Sequence, residues 1–325
     1  MVPRVSVVMP VRDGGRHLEP AVRSVLDQDL RELELVVVDD GSTDGTPGVL
    51  ARLSAGDPRL RVLSRPPRGY VDALRDGVDA ARADVVARLD ADDLALPSRL
   101  RRQLEVLDAD PGVVLVGAAV QEVDGQDRVL RTPGPGWSPP TTDAELRAAL
   151  RTGNPFTHST VAFRRAAYVQ VGGYRPALRP SEDSDLWLRL SEVGRLAALP
   201  EVLVRYRLHA GQVSVRDPHQ MAVAAVAAAV AGEHRRDGRP DPLADVGRVD
   251  DGLLAALGVP ASRVAEREVE LLLWLSRHSR GLHVHQLRLQ ALRAAGGSTQ
   301  PARARVQVLR QAGTAAWAAL RRTLP

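Results

Sequence analysis

The chain has 325 residues, 44% hydrophobic and 26% charged, with a net charge of +4. That balance excludes collagen, wholesale disorder and a membrane bundle, and the length suffices for about two domains. With no cysteine there can be no disulfide, thiolate nucleophile or thiolate metal site, so any metal must rest on oxygen or imidazole ligands.

All 44 basic side chains other than histidine are arginine, since the sequence contains no lysine. Every lysine-based mechanism is thereby removed. Acids and bases are interleaved and aromatic residues amount to only 3%, so the basic face and stacking rings of a nucleic-acid binder are not expected. Arg4 interrupts the N-terminal apolar stretch and no small-residue cleavage pattern follows, which argues against a secretory signal. The weakly polar run from Met221 to Gly232 is shorter than the roughly 18–20 residues a bilayer crossing needs. A cytoplasmic location is expected.

In chain order, Val5–Met9, Leu33–Val38, Leu60–Leu63, Val85–Leu89 and Val113–Val116 are short valine-rich runs, the pattern of strands buried on both faces of a parallel sheet. Helical spacings lie between them, at Val71, Leu74, Val78 and Ala81, and at Leu100, Leu104 and Leu107 after Pro97. This alternation predicts right-handed βαβ units in a doubly wound α/β domain. After Val123 it breaks: Pro133 to Thr142 carries four prolines and reads as a surface loop. A helix is predicted over Asp143–Arg151, a strand over Thr160–Phe163, a turn at Gly172-Gly173, a helix from about Asp183 and a strand over Val202–Leu208. From Arg216 onward alanine, arginine and leucine dominate, which places a boundary near residue 215, with a globular domain at 1–215 and a mainly helical region at 216–325.

Ligands of a doubly wound sheet bind beyond the carboxyl ends of its strands, so acids at those ends are the first candidates for chemistry. Asp39-Asp40-Gly41-Ser42-Thr43-Asp44 follows the second strand, where Ser42, Thr43 or Asp44 can also serve as a helix cap. Asp90-Ala91-Asp92-Asp93 follows the fourth, and like charges so close repel unless a cation neutralises them. A hard divalent ion with oxygen ligands does this, and Mg²⁺ typically completes its shell with water and substrate phosphates. Glu182-Asp183-Ser184-Asp185 opens a helix, where acids complement the dipole without any further purpose.

The ordered set VSVVMPVRDGG, VVVDDGSTDGT, ARLDADD, NPFTHSTVAFRR, VGGY, SEDSDLWLRL and YRLHAGQVS, spanning Val5 to Ser214, resembles the family 2 glycosyltransferases of the GT-A fold. The resemblance implies an inverting, metal-dependent transferase of the hexosyltransferase type, acting on a nucleotide-diphospho-sugar, foremost a UDP-sugar, with Mg²⁺ or Mn²⁺. The acceptor would be a hydroxyl of a glycan or lipid-linked molecule, in surface polysaccharide or glycolipid assembly. Carried over by position, Pro10, Arg12 and Asp13 would flank the base and ribose, Asp40 would bond the nucleobase, and Asp90 and Asp92 would hold the donor. Asp92, Asp93 and His209 would serve the metal, and Asp183 the general base, ionised by its place at a helix start. Arg12 stands where the family often has tyrosine, and Arg75 where related sequences often carry asparagine. His158 would belong to the acceptor-side wall.

A receiver domain also pairs acids after a strand but resembles its kin in needing a lysine, and a nucleotidyltransferase calls for a lysine-bearing phosphate loop; the chain has neither. A catalytically inactive nucleotide-sugar-binding partner or scaffold stays open as the alternative. Val306, Leu309, Gly313, Ala316 and Leu320 predict an amphipathic helix that docks on the body, on a second subunit as a homodimer, or on the inner face of a membrane as a peripheral contact. His283 and His285 read as surface residues.

Overall fold

The computed structural model describes residues 2–134, 139–209 and 217–278. The predicted helix near the C-terminus, and His283 and His285, lie outside the described residues. The chain divides into two compact units, Met1–Pro176 with Glu182–Arg207, and Ala177–Ser181 with Leu208–Pro325.

The first unit is built on β1 (Val5–Val11), β2 (Leu33–Asp39), β3 (Leu60–Ser64) and β4 (Val85–Arg88), which pair in parallel in the order β3-β2-β1-β4. All residues of β1, β2 and β4 are buried, which is why they read as predominantly apolar, valine-rich runs; of the polar exceptions, Ser6 and Glu34 bond each other at 2.6 Å. Alternate residues of β2 serve opposite faces. Leu35 and Val37 join the core beneath α1 (Leu18–Leu26), α2 (Thr46–Gly56) and α4 (Arg99–Ala109), while Val36 and Val38 pack with Ala73 of α3 (Tyr70–Ala80). The result is an α/β/α layering. On the α3 side a Cβ at Gly77 would sit 2.4 Å from Val8, so glycine lets the helix approach the sheet closely.

The sheet then departs from the all-parallel expectation. β8 (Ala162–Arg164) pairs antiparallel with β4 and with β6 (Val113–Val123), so β6 runs parallel to β4 but is separated from it. Beyond β6 lies β9 (Arg195–Arg207), parallel to it, and the two-residue β5 (Leu94–Ala95) pairs antiparallel with β9. β7 (Val129–Arg131) hangs from β6 as a short hairpin partner. The predicted strand at Val202–Leu208 is therefore the second half of a thirteen-residue strand. Its partner register steps from Leu199 to Val202 between Ala118 and Ala119, so Pro200 and Glu201 form a bulge, where a proline removes no ladder hydrogen bond.

Three further helices complete this unit: α5 (Asp143–Leu150), α6 (Arg165–Gln170) and α7 (Glu182–Val193). A capping box between Thr142 and Glu145 starts α5. The second unit contains α8 (Pro218–Arg236), α9 (Asp251–Ala256) and α10 (Ala261–His278). Asp217 and Asp250 cap α8 and α9 by accepting from the backbone N–H groups of Gln220 and Leu253. Among the described residues no helix is long and apolar enough to cross a membrane.

Candidate active site

The loops at the carboxyl ends of β1, β2 and β4 carry most of the predicted residues. Pro10 is buried within β1, whereas Arg12 and Asp13 are exposed just beyond it. Asp13 has φ 52°, and its carboxylate accepts from the backbone N–H of Thr43 at 2.7 Å while Ser42 Oγ accepts from the N–H of Asp13 at 2.9 Å. Thr46 Oγ1 and Asp44 accept from Gly14 and Gly15. Ser42 and Thr43 thus tie two loops together instead of capping α2, whose N-cap is Gly45 without a side-chain bond. Only Asp44 acts near the helix start, accepting from the N–H of Thr46 at 2.9 Å.

Asp40, expected against the nucleobase, is 3% exposed. Its Oδ1 accepts from Arg65 at 2.7 Å and from the N–H of Arg68 at 2.8 Å, and its Oδ2 from the N–H of Gly69 at 2.9 Å. This carboxylate organises the loop that leads into α3.

The acids after β4 converge: Asp90, Asp92 and Asp93 each place a carboxylate oxygen within 4.8 Å of the others. They are unequal. Asp90 and Asp92 are half-buried, while Asp93 is 1% exposed and accepts from the N–H of Arg207 at 2.7 Å and from the Ser159 hydroxyl. Burial pushes the Asp93 carboxyl well above the usual carboxylate range, and the charges of Asp92 and Asp90 push it further. Carboxylate oxygens that converge in this way form an all-oxygen donor set of the kind that suits a hard divalent ion, so the residues fit such an ion.

Beneath the acids lies a base of buried polar groups that the sequence reading missed. Arg88, 1% exposed, pairs with Asp90, donates to Ser159 Oγ at 2.9 Å and lies 5.5 Å from the centre of the Tyr70 ring. Burial works against its charge, but the adjacent Asp90 more than compensates and raises its pKa. Arg207 extends the same frame: besides Asp93, it donates to the Asp92 carbonyl at 2.7 Å, the Asp124 carbonyl at 2.9 Å and Asp127 at 2.7 Å. The pairing of β5 with β9 brings it there, since Leu94 stands opposite Arg205. With 44 arginines in the chain, neither position carries a local pattern that marks it.

Asp183 occupies the first turn of α7 and is half-buried. Its Oδ1 accepts from the N–H of Ser184 at 2.7 Å and its Oδ2 from Asn154 Nδ2 at 2.7 Å. Burial raises its pKa, opposed by these two bonds and by the Arg88 charge, so the helix start does not by itself govern its ionisation as expected. The neighbouring acids are more deeply buried. Asp185 is fully buried against Arg189 at 2.6 Å, and Glu182 is 5% exposed.

His158 lies between Tyr174, whose hydroxyl is 2.8 Å from Nε2, and Tyr70, whose hydroxyl is 3.5 Å from Nδ1, with Trp187 edge-on to its ring. Burial, aided by the Arg88 charge, holds it neutral by lowering its pKa well below 6.5. Arg75 is exposed on α3. His209 is exposed two residues past β9, among residues of the second unit, and the carboxylate group consists of the three aspartates.

A doubly wound sheet with an acid cluster after its fourth strand and a separate helix-borne carboxylate is the arrangement expected of a GT-A-type transferase. Residues 6–172 match the family model described as glycosyl transferase family 2, and the chain belongs to that family. It is 34% identical over 209 residues to the amylovoran biosynthesis glycosyltransferase AmsE of Erwinia amylovora, covering 63% of this chain and 76% of that protein. Among solved structures it is similar to the mannosyltransferase PcManGT of Pyrobaculum calidifontis in complex with GDP-Man and Mn²⁺, at 22% identity and TM-score 0.59, covering 95% of this chain and 84% of that one. It is also similar to S. aureus TarS residues 1–349 in complex with UDP-GlcNAc, at 16% identity and TM-score 0.56, with 95% and 89% covered. Both likenesses identify the fold.

Proposed function

We propose that the chain is an inverting glycosyltransferase that moves a sugar from a nucleotide-diphospho-sugar to an acceptor hydroxyl, in the assembly of an extracellular or surface polysaccharide. The observation that carries this reading is the presence within one unit of a converging carboxylate cluster at a strand end, 90–93, and of a separate carboxylate, Asp183, at a helix start. The name of the Erwinia relative supports the polysaccharide setting, and the two solved complexes support a nucleotide-sugar donor.

Asp90 and Asp92, with Asp93 as the buried anchor of their loop, would hold Mg²⁺ or Mn²⁺; His209, which the resemblance adds as a ligand, is not one of this converging group. Such an ion supplies charge neutralisation for a diphosphate leaving group. Arg88 and Ser159 keep the acids in place. Pro10, Arg12 and Asp13 line the approach for the base and ribose, and Asp40 shapes the loop beside them. In the transfer, the acceptor oxygen forms a bond to the anomeric carbon as the bond from that carbon to the diphosphate oxygen breaks. The leaving nucleoside diphosphate takes the bonding pair, and the hydroxyl proton passes to Asp183. Attack from the face opposite the leaving group inverts the anomeric centre.

A donor screen scored by nucleoside diphosphate release, with and without Mn²⁺, tests the reading. Metal-dependent release that disappears in Asp183→Asn is expected. Saturable donor binding with no release under any acceptor mixture would establish the inactive partner instead, and pyrophosphate release would establish a nucleotidyltransferase.

A further inference from the structure

Asn154 is the one asparagine in 325 residues, and it stands on the loop before β8 facing α7. Its amide has a fixed orientation. Oδ1 accepts from the backbone N–H of Phe156 at 3.1 Å, so the NH₂ group must face Asp183, at 2.7 Å from Oδ2. The peptide that sets this orientation is itself held: Phe156 is 5% exposed and meets Trp187 of α7 edge-on, with ring centres 6.3 Å apart. Trp187 lies one helical turn beyond Asp183, so the loop and the helix are locked to each other beside the carboxylate.

We propose that Asn154 is the positioning residue of the transfer: its amide fixes the rotamer of Asp183 and presents Oδ2 to the acceptor hydroxyl. The inference rests on Asp183 being the general base. Oδ1 is already served by the N–H of Ser184 at 2.7 Å and its hydroxyl at 3.4 Å, whereas Oδ2 receives Asn154 and keeps a lone pair for an incoming proton. Without the amide, the side chain loses the bond that sets its second dihedral angle, and the ionised form loses a donor. Besides Ser184 and Asn154, the groups that bear on this carboxyl are Arg88 from β4, whose charge favours the ionised form, and Tyr174 from the loop after α6, whose hydroxyl feels the Asp183 charge.

Asn154→Asp is the decisive variant, since it is nearly isosteric, keeps the acceptor for Phe156 and replaces the donor to Asp183 with a like charge. Carboxyl ¹³C NMR of the full chain, labelled at aspartate, reads the Asp183 midpoint, with the resonance assigned from Asp183→Asn. In Asn154→Asp the midpoint should rise by about one pH unit or more, and in Asn154→Ala by less. With the donor that releases most nucleoside diphosphate in the screen, the acid limb of kcat/KM should move in the same direction while the donor KM stays within about twofold, and Asn154→Ser should recover part of the rate. A packing role alone would lower the rate at every pH and leave the midpoint in place. An unmoved midpoint in Asn154→Asp overturns the inference. If instead Asp183→Asn retains near-normal turnover, the general-base reading fails, whatever Asn154 does.

Discussion

Asp183 and Asp185 sit two residues apart on α7, and removing the charge of each should have opposite consequences. Asp185 is completely buried, with Oδ2 accepting from Arg189 Nε at 3.0 Å and Nη2 at 2.6 Å, and Oδ1 facing Arg175 Nη1 at 3.7 Å. In Asp185→Asn either orientation of the new amide sets an NH₂ group against an arginine. Stripping one partner from a buried ion pair costs about 3–5 kcal/mol. For a domain of this size each kcal/mol lowers Tm by about 2–4 °C, so a fall of roughly 6–20 °C is expected. In Asp183→Asn, by contrast, one hydrogen bond is lost but an unfavourably buried charge is removed, so stability should change by no more than about 1 kcal/mol. Turnover should nevertheless fall by roughly 10²–10⁴-fold with donor affinity retained. Thermal unfolding by circular dichroism and nucleoside diphosphate release read the two effects independently. Equal Tm losses in the two variants would refute the assignment of environments, and normal turnover in Asp183→Asn with loss in Glu182→Gln would move the base to the other face of the helix.

Titration calorimetry with nucleoside diphosphate should show binding that needs Mn²⁺ or Mg²⁺, because the 90–93 carboxylates and a diphosphate repel; equal affinity in chelator contradicts it. Ser159→Ala removes a fully buried hydroxyl that serves Arg88 and Asp93 at once, so it should cost about 2–4 kcal/mol in denaturant unfolding and weaken that cation dependence. In the helical unit, His219 of α8 has Glu268 of α10 2.9 Å from Nδ1 and Asp251 of α9 3.0 Å from Nε2, and these two carboxylates raise its pKa, Glu268 foremost. The raised value means that its stabilisation is complete below the ordinary histidine pKa and is lost as pH climbs through the shifted one. The Tm advantage of the native chain over His219→Gln should therefore be larger at pH 6 than at pH 9, and a gap that widens with pH would invert the assignment.

The parallel half of the sheet was legible because β1, β2 and β4 are buried on both faces, which keeps them valine-rich with few polar residues, Ser6 and Glu34 among them. β6 was cut short at Val116 because Gly117, Ala118 and Ala119 carry little apolar weight, although hydrogen bonding continues to Val123. β8 is three residues long, too short to show alternation, and its antiparallel insertion depends on pairings that no local pattern encodes. The acid clusters were legible from their place at element ends. Their supports were not: Arg88, Ser159 and Arg207 come from β4, the turn before β8 and the end of β9, and only the closed sheet brings them under one loop. Asn154 did carry a signal, its rarity, but rarity names no partner. Asp183 was placed by motif, while its burial and its amide partner required the packing of α7 against the loop before β8.

A Cβ at Gly117 would come within 2.4 Å of the Phe156 ring. That absent methyl is a tolerance built into the centre of the sheet, and it links a strand position to chemistry well removed from it in sequence. Any side chain at 117 displaces Phe156, Phe156 carries the N–H that orients Asn154, and Asn154 holds Asp183. Substitution there should appear as lost turnover before it appears as lost fold. Selection on activity and selection on folding would therefore rank this glycine differently, high under the first and middling under the second.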